Sequence, residues 1–117
     1  MSTRAHIILK FDDEVVERFY YHSDGYPSGV GVDLVEYLDE FSKSKFYNNS
    51  LGGATSFAGW LTDNNPSYER GESFHGDEEY IYVIQFDKNE VHCFDCWKTG
   101  EFAHNNTELE VEIPKNN

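Results

Sequence analysis

Cations are scarce in this sequence. Nine Lys and Arg stand against 22 Asp and Glu among 117 residues, a formal charge of −13. That balance speaks against nucleic acid as a direct ligand, because most such contacts go to phosphates and need cations. It equally disfavours an anionic membrane surface. Apolar runs are short, and none approaches the roughly 20 residues of a membrane span. The opening MSTRAHIILKF has a single Arg and no small-residue cleavage site, which argues against a signal peptide and for a cytoplasmic chain. Two cysteines, Cys93 and Cys96, are too few for a disulfide framework, and a reducing cytosol would keep them as thiols. Also missing are a glycine-rich phosphate loop after a strand, a second CxxC pair and any internal repeat.

Aromatic residues, by contrast, are abundant. Nine Phe, eight Tyr and two Trp make up 16% of the chain, which excludes a disordered acidic tail and supplies a dense core. The length fits one domain over residues 1–117.

Alternation from Ala5 through Ile7 and Leu9 to Phe11 predicts a strand. Asp12-Asp13-Glu14 then forms a turn, and Val15 to His22 returns as a second strand inside the sheet, with Val15, Phe19 and Tyr21 on one face. The cluster Asp24 to Gly29 breaks the period, with Gly25 supplying a positive φ and Ser28 capping the next element. Leu34, Val35, Leu38 and Phe41 carry helical spacing, so a helix is predicted over about 30–45, acidic early and closed by Lys43 and Lys45. Phe57, Trp60 and Leu61 suggest a short second helix, weakened by Gly52, Gly53 and Gly59. After a possible strand at 68–72, the run Tyr80 to Phe86, the turn Asp87-Lys88-Asn89 and the return Glu90 to Trp97 form a hairpin. Leu109, Val111 and Ile113 alternate with Glu108, Glu110 and Glu112 as a last strand. The expected fold class is therefore α+β: a single antiparallel sheet of five to six strands, with one main helix and a short second helix on one face.

Several constellations bear on chemistry. Cys93 and Cys96, with His92 and His104, contain the residue types of a Cys2His2 zinc site. Strand residues three apart point to opposite faces, however, so ordinary buried thiols and no metal are expected. His22 and Asp24 can form an acid–base pair, yet no nucleophile accompanies them, and no catalytic residue or cofactor is assigned. They serve either the turn itself or a ligand site built from Arg4, His22, Asp24, Tyr26 and Arg70. Arg18 also qualifies, because arginines are so few that each should have a local acidic partner. The acids cluster at Asp12-Asp13-Glu14, Asp39-Glu40 and Asp77-Glu78-Glu79. Glu108, Glu110 and Glu112 on one strand face would stand about 6.5–7 Å apart, near the pitch of phosphates along one nucleic-acid strand. Such a row suits a mimic of the phosphate backbone; it equally suits a solvated face that blocks edge pairing.

The start Ser2-Thr3-Arg4, the hairpin, and the segment His22-Ser23-Asp24-Gly25-Tyr26-Pro27-Ser28-Gly29-Val30-Gly31 resemble a family of small phage and mobile-element proteins with an STR start and an HxDGYPxGxG loop. The likeness covers residues 2–40 and, more loosely, 68–86, where Arg70-Gly71-Glu72 and Glu79 to Val83 match. Ser23 stands where the family pattern has Trp. The resemblance implies a genomic setting and no catalytic residues; small acidic phage proteins serve as inhibitors of host defence, anti-CRISPR proteins among them. Charge and resemblance together lead to an expectation of a non-enzymatic inhibitor, acting alone or as a homodimer. Its acidic surface at Asp77, Glu78, Glu79, Glu108, Glu110 and Glu112 would enter the basic channel of a host nucleic-acid-binding defence protein. The alternative is a small-ligand or nucleotide sponge centred on the HxDGYP loop.

Overall fold

A computed structural model describes residues 3–115. It is α+β, with one open six-stranded sheet and two helices. The strands are β1 (Ala5–Phe11), β2 (Glu14–Tyr21), β3 (Glu69–Arg70), β4 (Tyr80–Gln85), β5 (Glu90–Asp95) and β6 (Glu110–Val111). The helices α1 (Val32–Ser42) and α2 (Leu51–Asn64) lie between β2 and β3 in the chain. The sheet order is β3-β2-β1-β4-β5-β6.

One pairing departs from the all-antiparallel expectation. β1 and β4 run parallel, from Ala5 opposite Tyr80 to Lys10 opposite Gln85. The chain leaves β2, passes through both helices to β3 on the outer side of β2, and then crosses through residues 71–79 to the far side of β1, the kind of long crossover that parallel neighbours require. Side-chain alternation reports which face a residue takes and is blind to the direction of its neighbour.

The hairpin β1–β2 turns through Asp12 and Asp13, both with positive φ (52° and 63°). That conformation suits the right-handed twist of the flanking strands. A bulge between Leu9 and Lys10 then sets Leu9 opposite Glu17 and Lys10 opposite Val15, so Val16 is the extra residue. Its consequence is a swap: Val16 packs against the core, whereas Val15, predicted to join Phe19 and Tyr21, is exposed.

Helix α1 is shorter than the sequence suggests. A wide turn over Pro27–Gly31 precedes it, with the Gly31 N–H donating to the Tyr26 carbonyl, and Ser28 gives no cap. Leu34, Leu38 and Phe41 are buried, but Val35 is 44% exposed. Helix α2 is longer than expected, with 14 residues. Ser50 caps it by accepting the Gly53 N–H at 3.1 Å. Ala54, Phe57, Ala58 and Leu61 then form a buried stripe at helical spacing, which outweighs the glycine cost.

Both helices cover one sheet face, where Ile7, Leu9, Phe19, Tyr82 and Ile84 meet Leu34, Phe41, Phe57 and Leu61. Irregular chain covers the other face: Ile8, Ile81, Val83 and Phe94 pack with Cys96, Ala103, Phe74 and Leu109. The final strand is only Glu110–Val111, preceded by a tight helical turn at Thr107–Leu109.

Candidate functional site

The sheet face away from the helices is polar at its heart. All five histidines belong to it, two of them through strand parity. His6 sits beside Ile8 on β1, and His92 precedes Phe94 on β5. His22 and His75 both contact the Tyr20 ring, His75 stacked at 3.7 Å. His104 lines a small cavity with Lys10 and His92.

His6 is fully buried. Arg18 Nη1 donates to its Nε2 at 3.0 Å, and its Nδ1 lies 3.6 Å from the buried Glu78 carboxylate. Burial foremost, then the Arg18 charge and those of His75 and His104, push its pKa down to about 4. The imidazole is therefore neutral at neutral pH. Glu78 accepts the backbone N–H groups of His75 and Gly76, at 2.9 and 2.8 Å, inside a turn crossing this face. Tyr20 donates to Asp77 at 2.9 Å, and Asp77 also takes Arg4 at 3.2 Å. Burial, followed by Asp77, pushes the Tyr20 hydroxyl up to about 12.

The predicted ligand residues are thus held by separate partners. Arg4 pairs with Asp77, His22 with Glu69, and Arg70 with Glu17 at 3.1 Å. Asp24 itself takes the positive φ (51°) that the sequence suggests for Gly25. Gly25 serves a close approach instead: a Cβ there would stand 2.8 Å from the Thr3 carbonyl oxygen. The Gly25 N–H donates to that oxygen, and the Tyr82 hydroxyl donates to the Gly25 carbonyl at 2.7 Å. The HxDGYP segment is a clasp tying the helix entry to the sheet, with the Tyr26 ring left exposed.

The predicted acidic surface is also redistributed. Glu78 is 2% exposed and belongs to the interior, because its carboxylate ties down its own turn. Asp77 is bonded to Arg4 and Tyr20. Glu79 is half-buried, its backbone joining Arg4 to Cys96. Glu108, Glu110 and Glu112 form no regular row, since Glu108 lies in the helical turn and the strand ends at Val111. Glu108 and Glu112 are exposed. Glu110 accepts from His92 at 2.9 Å, and Glu90 contacts the same ring at 3.2 Å. Partial burial lowers the His92 pKa, but these two carboxylates outweigh it and leave the net shift upward.

Cys93 and Cys96 do face opposite sides of the sheet, one in each buried cluster. Burial pushes both thiols up to about 12. Among the described residues, no group of three His, Cys, Asp or Glu side chains is placed to hold a metal. No described helix is long and apolar enough to cross a membrane.

Sequence reasoning missed the outer side of α1. Asp33, Glu36, Asp39 and Glu40 lie on it, and its last turn carries no base. Lys43, just past the end, bonds Asp39 at 3.0 Å. Partial burial, then the charges of Glu36 and Asp24, hold the Asp33 carboxyl above the usual carboxylate range. Beside these acids runs a groove of about 480 Å³, walled by Val32, Val35 and Leu38 of α1 and by Val91, Ile113 and Pro114. The exposed Val35 was the signal: an apolar residue on the helix that the core does not claim.

No family model matches the chain, and no curated protein or solved structure matches it.

Proposed function

We propose that this chain is a non-catalytic inhibitor encoded by a phage or mobile element. It acts in the host cytoplasm by occupying the basic channel of a nucleic-acid-binding defence protein, as anti-CRISPR proteins do. The observation that carries this reading is the allocation of charge. All three arginines are engaged by partners of the same chain, Asp77, His6 and Glu17, while α1 presents four acids and the hairpin tip three exposed ones. The excess negative charge is thereby carried outward on a rigid helix, where it raises the on-rate and selects a cationic partner. The contact surface is α1 with the exposed Glu108 and Glu112, in place of a row on the last strand.

The test is competition. Purified CRISPR effectors and other host defence nucleases are loaded with labelled nucleic acid, and the chain is added over a salt series. Displacement that weakens with salt, and that fails for the triple variant Asp33→Asn/Glu36→Gln/Glu40→Gln, supports the proposal. Displacement indifferent to both, or none by any effector, overturns it.

A further inference from the structure

A buried polar atom on the helix-free face of the sheet is left without a partner. Gln85 Oε1 is shielded from solvent and accepts no hydrogen bond, although a buried amide oxygen normally does. Gln85 lines a small cavity of about 90 Å³. Strand pairing builds it: Lys10 on β1 stands beside Gln85 on β4, and Val83 stands beside His92 on β5. Phe94 adds to the floor, and His104 comes in from the irregular chain. This lining holds a cation and no carboxylate, which is unusual in so acidic a chain. Lys10 is half-buried, whereas every other lysine is exposed, and none of the described acids pairs with it. Glu90 and Glu110 are close by, but both are bonded to His92. His104 Nδ1 lies 2.8 Å from the Glu101 carbonyl oxygen, so it carries the proton and leaves Nε2 as an acceptor. Burial foremost, with the charges of Lys10 and Arg18 adding to it, lowers the His104 pKa and keeps that ring neutral at pH 7. The lining groups thus combine one strong donor, the Lys10 ammonium, with two acceptors.

We infer that this cavity binds a small oxoanion that still carries a proton, with hydrogenphosphate as the type. One of its oxygens accepts from Lys10, and its hydroxyl donates to Gln85 Oε1, the acceptor that the fold leaves unused. The space holds roughly three waters at ~30 Å³ each, which fits an inorganic oxoanion or the terminal group of a phosphomonoester. It is too small for a whole nucleotide. Sulfate has the same shape but no proton to donate at pH 7, so buried acceptors discriminate against it. The site is independent of the proposed inhibitor role, because α1 covers the opposite face of the sheet.

The experiment is an NMR titration of the isotope-labelled chain at pH 7 and constant ionic strength, following backbone and side-chain amides. Inorganic phosphate, sulfate and chloride are compared on the parent, on Lys10→Gln and on Gln85→Met. Saturable phosphate shifts centred on Lys10, Gln85 and His104 are expected, with sulfate weaker by about tenfold or more. Lys10→Gln should weaken phosphate by a similar factor, and Gln85→Met should narrow its advantage over sulfate. Gln85→Met should also raise the phosphate-free melting temperature, because it removes a buried unpaired oxygen and keeps the side-chain length. Methyl phosphate separates the two sources of the group. Affinity equal to that of phosphate assigns the site to a phosphomonoester, and a loss of about tenfold assigns it to the free ion. No saturable response to phosphate would overturn the site. So would shifts that sulfate or chloride reproduce, that survive Lys10→Gln, or whose preference for phosphate is unchanged in Gln85→Met.

Discussion

Arg18 Nη1 lies 3.0 Å from His6 Nε2, and a guanidinium can only donate. The imidazole therefore accepts at Nε2 and carries its proton on Nδ1, the nitrogen 3.6 Å from Glu78. One cation thus sets the tautomer of a fully buried histidine and aims its N–H at a buried carboxylate. The Glu78 carboxylate accepts the N–H groups of His75 and Gly76, and His6 Nδ1 stands 3.6 Å away with no hydrogen-bond partner. Glu78→Gln brings an amide NH2 among those donors. It should destabilise the fold by about 2 kcal/mol in urea unfolding, the cost of a buried network left partly unsatisfied.

The same histidine sets a pH dependence. Its folded pKa, about 4, lies below its ordinary 6.5, so the unfolded chain binds the proton more readily in between. Stability then falls as pH drops from 6.5 to 4, by up to roughly 3 kcal/mol from this residue. His92, shifted upward, works in the opposite direction, but it is partly exposed and its share is smaller. Urea titrations at pH 7, 5.5 and 4 should show this fall, and His6→Asn should flatten it while lowering stability at pH 7.

Two glycines in α2 should answer in opposite ways to alanine. A Cβ at Gly53 would stand 1.7 Å from the Asn48 carbonyl oxygen, so Gly53→Ala forces the helix entry apart. At Gly59 the nearest atom to an added Cβ is the flexible Arg70 Nη1, 3.8 Å away. Gly59→Ala should raise stability by about 0.5–1 kcal/mol through helix propensity, and Gly53→Ala should lower it by several times that amount. Thermal unfolding of the two variants checks both signs.

The contrast within α2 explains much of what the sequence conceals. Composition registers three glycines and weakens the helix; only the packed geometry reveals that one makes room for a carbonyl and another merely costs entropy. Alternation in Ala5–Phe11 and the apolar run Tyr80–Gln85 was legible, because strand parity is local. The parallel pairing between those two strands was not, since it depends on how the irregular residues 71–79 carry the chain from β3 to the far side of β1. One bulged residue likewise exchanged the roles of Val15 and Val16. For the candidate site, the scarcity of arginine correctly pointed to acidic partners for Arg4 and Arg70, although Arg18 took a histidine. The gathering of His75 and His104 beside His6 depends on irregular chain, which no periodicity reports.

The cysteines should be chemically silent in the folded protein. Both are buried and both thiols are pushed up to about 12, so thiolate is negligible at pH 8. Ellman's reagent should detect none in native conditions and two per chain in guanidinium. Rapid native labelling of either thiol would contradict the packing on both faces of β5.

The tip of the first hairpin separates stability from binding. Asp12 and Asp13 both hold positive φ, a conformation that costs an aspartate and suits Asn-Gly. The pair Asp12→Asn/Asp13→Gly removes two exposed acids and relieves that cost, so thermal unfolding should show a gain of about 1 kcal/mol. If α1 with Glu108 and Glu112 forms the contact surface, the variant should displace nucleic acid from its target nearly as well as the parent at physiological salt, where charges beyond about 8 Å are largely screened. A large loss of inhibition in a more stable protein would instead place the hairpin tip within the contact.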